Sequence, residues 1–120
     1  MRGVLVKEWT EFENLTLEDC PTPELQPGQV RVKTQAAGVS FATSLVVSGR
    51  YQRKPPLPFV PGTEIAGIVT EIGSGVSRFK PGDRVCCVLD WGGLGEEAVA
   101  NEVNTFPIPD GLDFARAICF

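Results

Sequence analysis

The chain has no histidine, and only one methionine and one tyrosine among its 120 residues. Without imidazole there is no histidine base near neutral pH, no Ser-His or Cys-His nucleophile pair and no histidine metal ligand. Long apolar runs are missing as well. The longest, Val85 to Leu89, falls far short of the ~20 residues that cross a bilayer as a helix. The first residues, Met1-Arg2-Gly3-Val4-Leu5-Val6-Lys7, hold too few apolar side chains for the hydrophobic region of a signal peptide. A cytoplasmic location and no membrane partner are the expectation. Positive charge is scarce: 11 Lys and Arg against 15 Asp and Glu leave a net charge of -4. No field exists to release counterions from a polyanion, so nucleic acid is not expected as a partner. The four cysteines, Cys20, Cys86, Cys87 and Cys119, form no Cys-x-x-Cys pair, which argues against a zinc ribbon or a disulfide framework and for simple packing.

What is present suits one small domain. Hydrophobic residues make up 42% of the chain, enough for a single core. Thirteen glycines and ten prolines imply many turns and argue against a helical bundle. Val4 and Val6, then Leu15 and Leu17, then Val30, Val32, Thr34 and Ala36 alternate with polar neighbours, the period of half-buried strands. Glu64 to Gly73 lies between two Pro-Gly turns and carries Ile65, Ile68, Val69 and Ile72, which predicts a central strand buried on both faces. Arg84 to Leu89 and Glu96 to Ala100 read as further strands. Asn104 to Pro109 reads as an extended edge, because Pro107 and Pro109 cannot donate to a ladder. One short helix is expected, capped by Ser40, with Phe41, Leu45 and Val46 near one face and Gly49 at its end. A proline-rich loop follows from Gly49 to Pro61, holding Tyr51 with Arg50, Arg53 and Lys54 beside it. The fold class is mainly β.

Gly93-Leu94-Gly95-Glu96-Glu97-Ala98 fits the G-x-G-x-x-A pattern of a dinucleotide-binding turn, with Asp113 at the expected acidic position. That turn needs a helix of ten or more residues after the glycines. Here Val99, Val103, Phe106, Pro107 and Pro109 follow instead, so a hairpin with glycines in its turn is the better reading.

A longer pattern carries more. Gly38-Val39-Ser40-Phe41-Ala42, Gly49-Arg50-Tyr51, Pro56-Leu57-Pro58-Phe59-Val60-Pro61-Gly62-Thr63-Glu64-Ile65-Ala66-Gly67, Phe79-Lys80-Pro81-Gly82-Asp83-Arg84-Val85 and Pro107-Ile108-Pro109-Asp110-Gly111-Leu112 stand in order. Together they resemble the amino-terminal domain of the quinone oxidoreductase, or zeta-crystallin-like, branch of the medium-chain dehydrogenases/reductases. The resemblance covers Met1 to about Ala117. It implies a GroES-like, distorted β-barrel with one or two short helices.

In the zinc-dependent alcohol dehydrogenases of that superfamily, the resemblance places a ligand cysteine at Ser40, its following histidine at Phe41 and the metal-binding histidine at Thr63. Only Glu64 remains of that set, and one carboxylate cannot replace the three protein ligands of a catalytic zinc. No zinc is expected. A quinone or enone can accept hydride with only hydrogen-bond help at its oxygen, whereas alcohol oxidation leans on a Lewis acid.

The resemblance further implies that NADPH donates the hydride and is held by a Rossmann-type domain that this chain lacks, so the chain alone is expected to be inactive. Family members often form homo-oligomers through that other domain. The apolar stretch Ala117-Ile118-Cys119-Phe120 falls where a linker helix would begin. The resemblance assigns catalytic positions to Tyr51, Ser40 and Thr63, substrate-cleft positions to Phe41, Thr43 and Glu64, and nicotinamide contacts to Ser40, Phe41 and Thr43. Ser40 and Thr43 stand where the branch more often has Asn and Asp. Two other readings share the scaffold: a crystallin-like or other non-enzymatic interaction protein, and a GroES-like co-chaperonin.

Overall fold

The structure, a computed structural model, describes residues 1–52 and 54–118. Two strands near the amino terminus, β1 (Arg2–Val4) and β2 (Leu17–Asp19), pair as an antiparallel ribbon. Five more, β3 (Gln29–Ala37), β4 (Glu64–Ile72), β5 (Arg84–Val88), β6 (Glu97–Asn101) and β7 (Thr105–Pro107), form one antiparallel sheet in the order β6-β3-β4-β5-β7. The sheet curls into a half-barrel, aided by irregularities in the β3–β4 register between Arg31 and Val32 and between Thr34 and Ala36, because an extra residue bends its strand.

The strand alternation explains the core. Val30 and Val32 of β3, Ile65 and Val69 of β4, Val85 and Cys87 of β5 and Ala98 and Ala100 of β6 are all buried and pack with Phe79 and Leu89 into one cluster. Gly67 is required at the centre of β4, since a Cβ there would lie 2.1 Å from the Lys33 carbonyl oxygen. Helix α1 (Phe41–Val47) packs Val46 and Val47 against Val6 and Phe59. Helix α2 (Phe114–Ala117) sets Ala117 on Ala66 and Ile108. Arg84 ties it to β5: its guanidinium donates to the Leu112 carbonyl and lies 4.6 Å from the Phe114 ring centroid.

The central position of β4 and the edge position of the Pro107 segment agree with the sequence reading. Other details differ. Burial of β4 on both faces holds only at Ile65, Ala66 and Gly67, and Ile72 is 38% exposed. Among the described residues, α2 covers the second face at Ala66. Val6 makes an isolated bridge to Phe59 rather than extending β1, and Leu15 follows a 3-10 turn at Phe12–Asn14 instead of opening β2. The glycines at 93 and 95 are not a hairpin turn, because β5 pairs with β4 and β7 while β6 pairs with β3. They lie in a crossing segment that runs backbone to backbone against Pro61 and Gly62, with a Cβ on Gly93 only 3.1 Å from the Gly62 carbonyl. The expectations for Arg53, Cys119 and the end of the apolar tail lie outside the described residues.

Candidate functional site

Three chain reversals build the site. The first is the start of α1. Ser40 is extended (φ -121°, ψ 170°); its N–H donates to Thr43 Oγ1 at 3.3 Å, and the Thr43 N–H donates to the Ser40 carbonyl at 3.0 Å. The two hydroxyl oxygens are also 3.3 Å apart. Reciprocal bonding of this kind satisfies backbone donors that a helix start leaves unpaired.

The second reversal ends α1. Gly49, at φ +77°, donates its N–H to the Val46 carbonyl at 3.1 Å, and the Arg50 N–H reaches the Leu45 carbonyl at 2.9 Å. A glycine in the left-handed region closes the helix and turns the chain back, delivering Tyr51 beside it. The third is the turn before β4, where the Leu89 N–H donates to the Thr63 carbonyl at 2.7 Å and brings the end of β5 alongside.

These reversals enclose a cleft of about 330 Å³. Ala42 and Val46 come from α1, Tyr51 and Pro55 from the loop, Thr63 from the turn, and Leu89 and Asp90 from beyond β5. The lining is largely apolar, with two hydroxyls and one carboxylate. Such a lining offers apolar contact from Ala42, Val46, Pro55 and Leu89 and polar groups from Tyr51, Thr63 and Asp90.

The structure thus brings Tyr51 and Thr63 together. It places the other sequence-assigned residues elsewhere. Ser40 is exposed at the helix start, and Phe41 stands 80% exposed on the first turn. Thr43 is buried at 3% exposure, its hydroxyl engaged in the cap. Glu64 borders a different cavity, with Cys86, Val88, Phe106 and Ile118, and its side chain lies against Gly38. Leu89 and Asp90 were not singled out from the sequence; only the pairing of Glu64 with Val88 sets them opposite Thr63.

The remaining chemistry is quiet. Cys20, Cys86 and Cys87 are free thiols. Burial pushes Cys87 up to about 11, and burial likewise raises Cys86, so neither is a ready nucleophile. Among the described residues no three His, Cys, Asp or Glu side chains gather as a metal site. No helix of the described residues is long and apolar enough to cross a membrane. The amides of the glycine segment are spent inside the fold: the Gly92 N–H donates to Val60, Gly93 to Gly62 and Leu94 to Pro61. They form no cradle for a phosphate.

A curled antiparallel sheet with two short helices and this cleft defines a GroES-like β domain. The family model for the alcohol dehydrogenase GroES-like domain matches residues 26–110, and the chain belongs to that family. It is 43% identical over 118 residues to the Rattus norvegicus protein named quinone oxidoreductase, covering 97% of this chain and 36% of that protein. The human synaptic vesicle membrane protein VAT-1 homolog-like protein superposes with a TM-score of 0.94 at 30% identity, over 100% of this chain and 39% of that one. Escherichia coli quinone oxidoreductase complexed with NADPH matches with a TM-score of 0.86 at 27% identity, over 98% of this chain and 36% of that one. The chain spans about a third of the length of the curated relatives it matches.

Proposed function

We propose that this chain is the acceptor-binding domain of an NADPH-dependent, zinc-independent reductase of quinones or activated enones. The observation that carries the reading is the cleft itself, where Ala42, Val46, Pro55 and Leu89 line a wall together with Tyr51, Thr63 and Asp90. The names of the relatives and the NADPH complex of the Escherichia coli enzyme support it. NADPH, when bound, supplies the hydride. The glycine-segment amides are already bonded inside the fold and offer the nucleotide's phosphates no cradle, so the reading assigns the nucleotide to a second, Rossmann-type domain. Exposed Ser40 and Phe41 are free to border the nicotinamide, and Thr43 holds them in place through the helix cap. Tyr51 stacks on the acceptor ring or donates a hydrogen bond to its oxygen, and Thr63 offers a second donor. Val46, Pro55 and Leu89 keep water from the reacting face. The site lacks a ligand set for zinc: Ser40, Phe41 and Thr63 stand where the dehydrogenase pattern needs Cys and His, and polarisation of the acceptor oxygen falls to hydroxyls. The reading further places the protein in the cytoplasm, with oligomer contacts made through the second domain.

The test is NADPH oxidation by the protein joined to its nucleotide domain, run with benzoquinones and with a primary alcohol in the reverse direction, each with and without a strong chelator. Quinone reduction indifferent to the chelator, in protein with no stoichiometric zinc by elemental analysis, is the expected result. Alcohol oxidation abolished by the chelator, with about one zinc per chain, would overturn the reading.

A further inference from the structure

Residues 6–11 touch both ends of the loop that carries Tyr51. At the far end, the Val6 N–H donates to the Phe59 carbonyl at 2.7 Å and the Phe59 N–H returns to the Val6 carbonyl at 3.0 Å. At the near end, the Thr10 N–H donates to the Val47 carbonyl at 3.2 Å. Arg50 Nη2 lies 3.4 Å from each Glu11 carboxylate oxygen, and its Nε donates to Ser48 Oγ at 2.8 Å. One aromatic ring touches both ends. The Trp9 ring rests on Gly49 so closely that a Cβ there would be 2.9 Å from Trp9 Cδ2, and it meets the Phe59 ring at a centroid distance of 6.0 Å.

Between those stems Pro55 is buried, while Tyr51 and Gln52 are exposed. The Tyr51 hydroxyl makes no hydrogen bond to a described residue, and the residue is 40% exposed. Its place in the cleft therefore depends on where the stems sit, and Trp9 joins the packing of Val46 and Val47 on Phe59 in holding the stems together. Trp9 itself does not line the cleft.

We infer that Trp9 is a positioning residue for Tyr51, acting through Gly49 and Phe59 to fix the loop that presents the tyrosine to the acceptor. The inference rests on the reading that Tyr51 faces that acceptor. It explains why position 49 must be glycine twice over, for the left-handed turn and for the ring lying on it. A tryptophan suits the task, because a broad rigid ring spans two stems at the cost of only two side-chain torsions.

The single tyrosine makes the test direct. With 3-fluorotyrosine incorporated, the 19F spectrum has one line, from position 51. Trp9→Ala is expected to move, broaden or split that line, and Trp9→Phe to restore it. Ile108→Ala, a core truncation in the separate cluster around α2, is the control for general destabilisation and should leave the line in place. Should Trp9→Ala fail to fold, Arg50→Gln loosens the same stem and is expected to displace the line in the same direction. An unmoved line in folded Trp9→Ala, or in Arg50→Gln where that is the folded variant, overturns the inference, as does an equal response to Ile108→Ala.

A second arm separates this result from the functional reading. Tetramethyl-1,4-benzoquinone, whose ring has no open position for thiol addition, is titrated against the same line. It should perturb the native and Trp9→Phe lines and bind Trp9→Ala about two- to tenfold more weakly, the range of one aromatic contact. A native line indifferent to saturating quinone counts against Tyr51 contacting the acceptor from this wall, whereas the mutant lines without quinone alone decide whether Trp9 positions Tyr51.

Discussion

Tyr51 is the residue on which the acceptor reading turns, and Tyr51→Phe and Tyr51→Ala divide its contributions. In the folded protein the hydroxyl has no described partner, so Tyr51→Phe should leave stability within about 0.5 kcal/mol of native. With 40% of its surface exposed, the side chain covers on the order of 100 Å² of apolar area, and Tyr51→Ala should cost about 2 kcal/mol of folding free energy. The effects on catalysis fall differently. Loss of a hydroxyl bonded to the acceptor oxygen removes about 0.5 to 1.5 kcal/mol, a two- to thirteenfold fall in kcat/KM for the quinone. Loss of the ring as well removes a similar stacking contribution, for a total of about 5- to 160-fold. The affinity for NADPH should hardly change in either variant. The assay is steady-state quinone reduction by the protein with its nucleotide domain, at a temperature where both variants are folded, with thermal melts alongside. Unchanged quinone kinetics in a destabilised Tyr51→Ala would show that Tyr51 merely packs on Pro55 and its neighbours, and would refute the reasoning.

If the nucleotide is held by a second domain as proposed, the isolated chain should not oxidise NADPH with quinones, because holding donor and acceptor in reactive geometry supplies about 7 to 11 kcal/mol; saturable turnover by the chain alone would contradict this. Gly67→Ala should unfold the domain or cost more than about 3 kcal/mol in urea titrations, since its Cβ meets the Lys33 carbonyl at 2.1 Å. Gly28→Ala, at φ +78° with open space around it, should cost only about 1 kcal/mol, and near-equal losses would show that β3 and β4 can part. Asp83 accepts a hydrogen bond from the Lys80 N–H and is bonded to the Lys80 ammonium, which hold its carboxyl below the usual 3.8. Its stabilisation is therefore complete above that value and lost as pH falls through the lower, folded-state one. Asp83→Asn should lower Tm at neutral pH, with the gap to native closing in strong acid; a gap independent of pH would contradict the assignment.

Local pattern alone determined much of this protein. Period-two alternation in Val30, Val32 and Val85, Cys87 placed side chains on the core face of their strands, because successive residues of an extended chain point to opposite sides whatever the fold. Ser40 and Gly49 marked the ends of α1 for equally local reasons, a backbone cap and a left-handed turn. The lack of histidine by itself excluded an imidazole base or ligand from the chain. Pairing was another matter. Gly93 and Gly95 sit between two strands that look like a hairpin, yet β5 joins β4 and β6 joins β3, since strand partners are chosen by burial across the whole sheet and not by the intervening turn. The cleft had the same origin. Leu89 and Asp90 reach Tyr51 and Thr63 only through the β4–β5 register, and Trp9 reaches Gly49 and Phe59 only once Val6 has paired with the far stem of the loop. Contacts between residues forty positions apart depend on the free energy of the assembled core, which no short window of sequence contains.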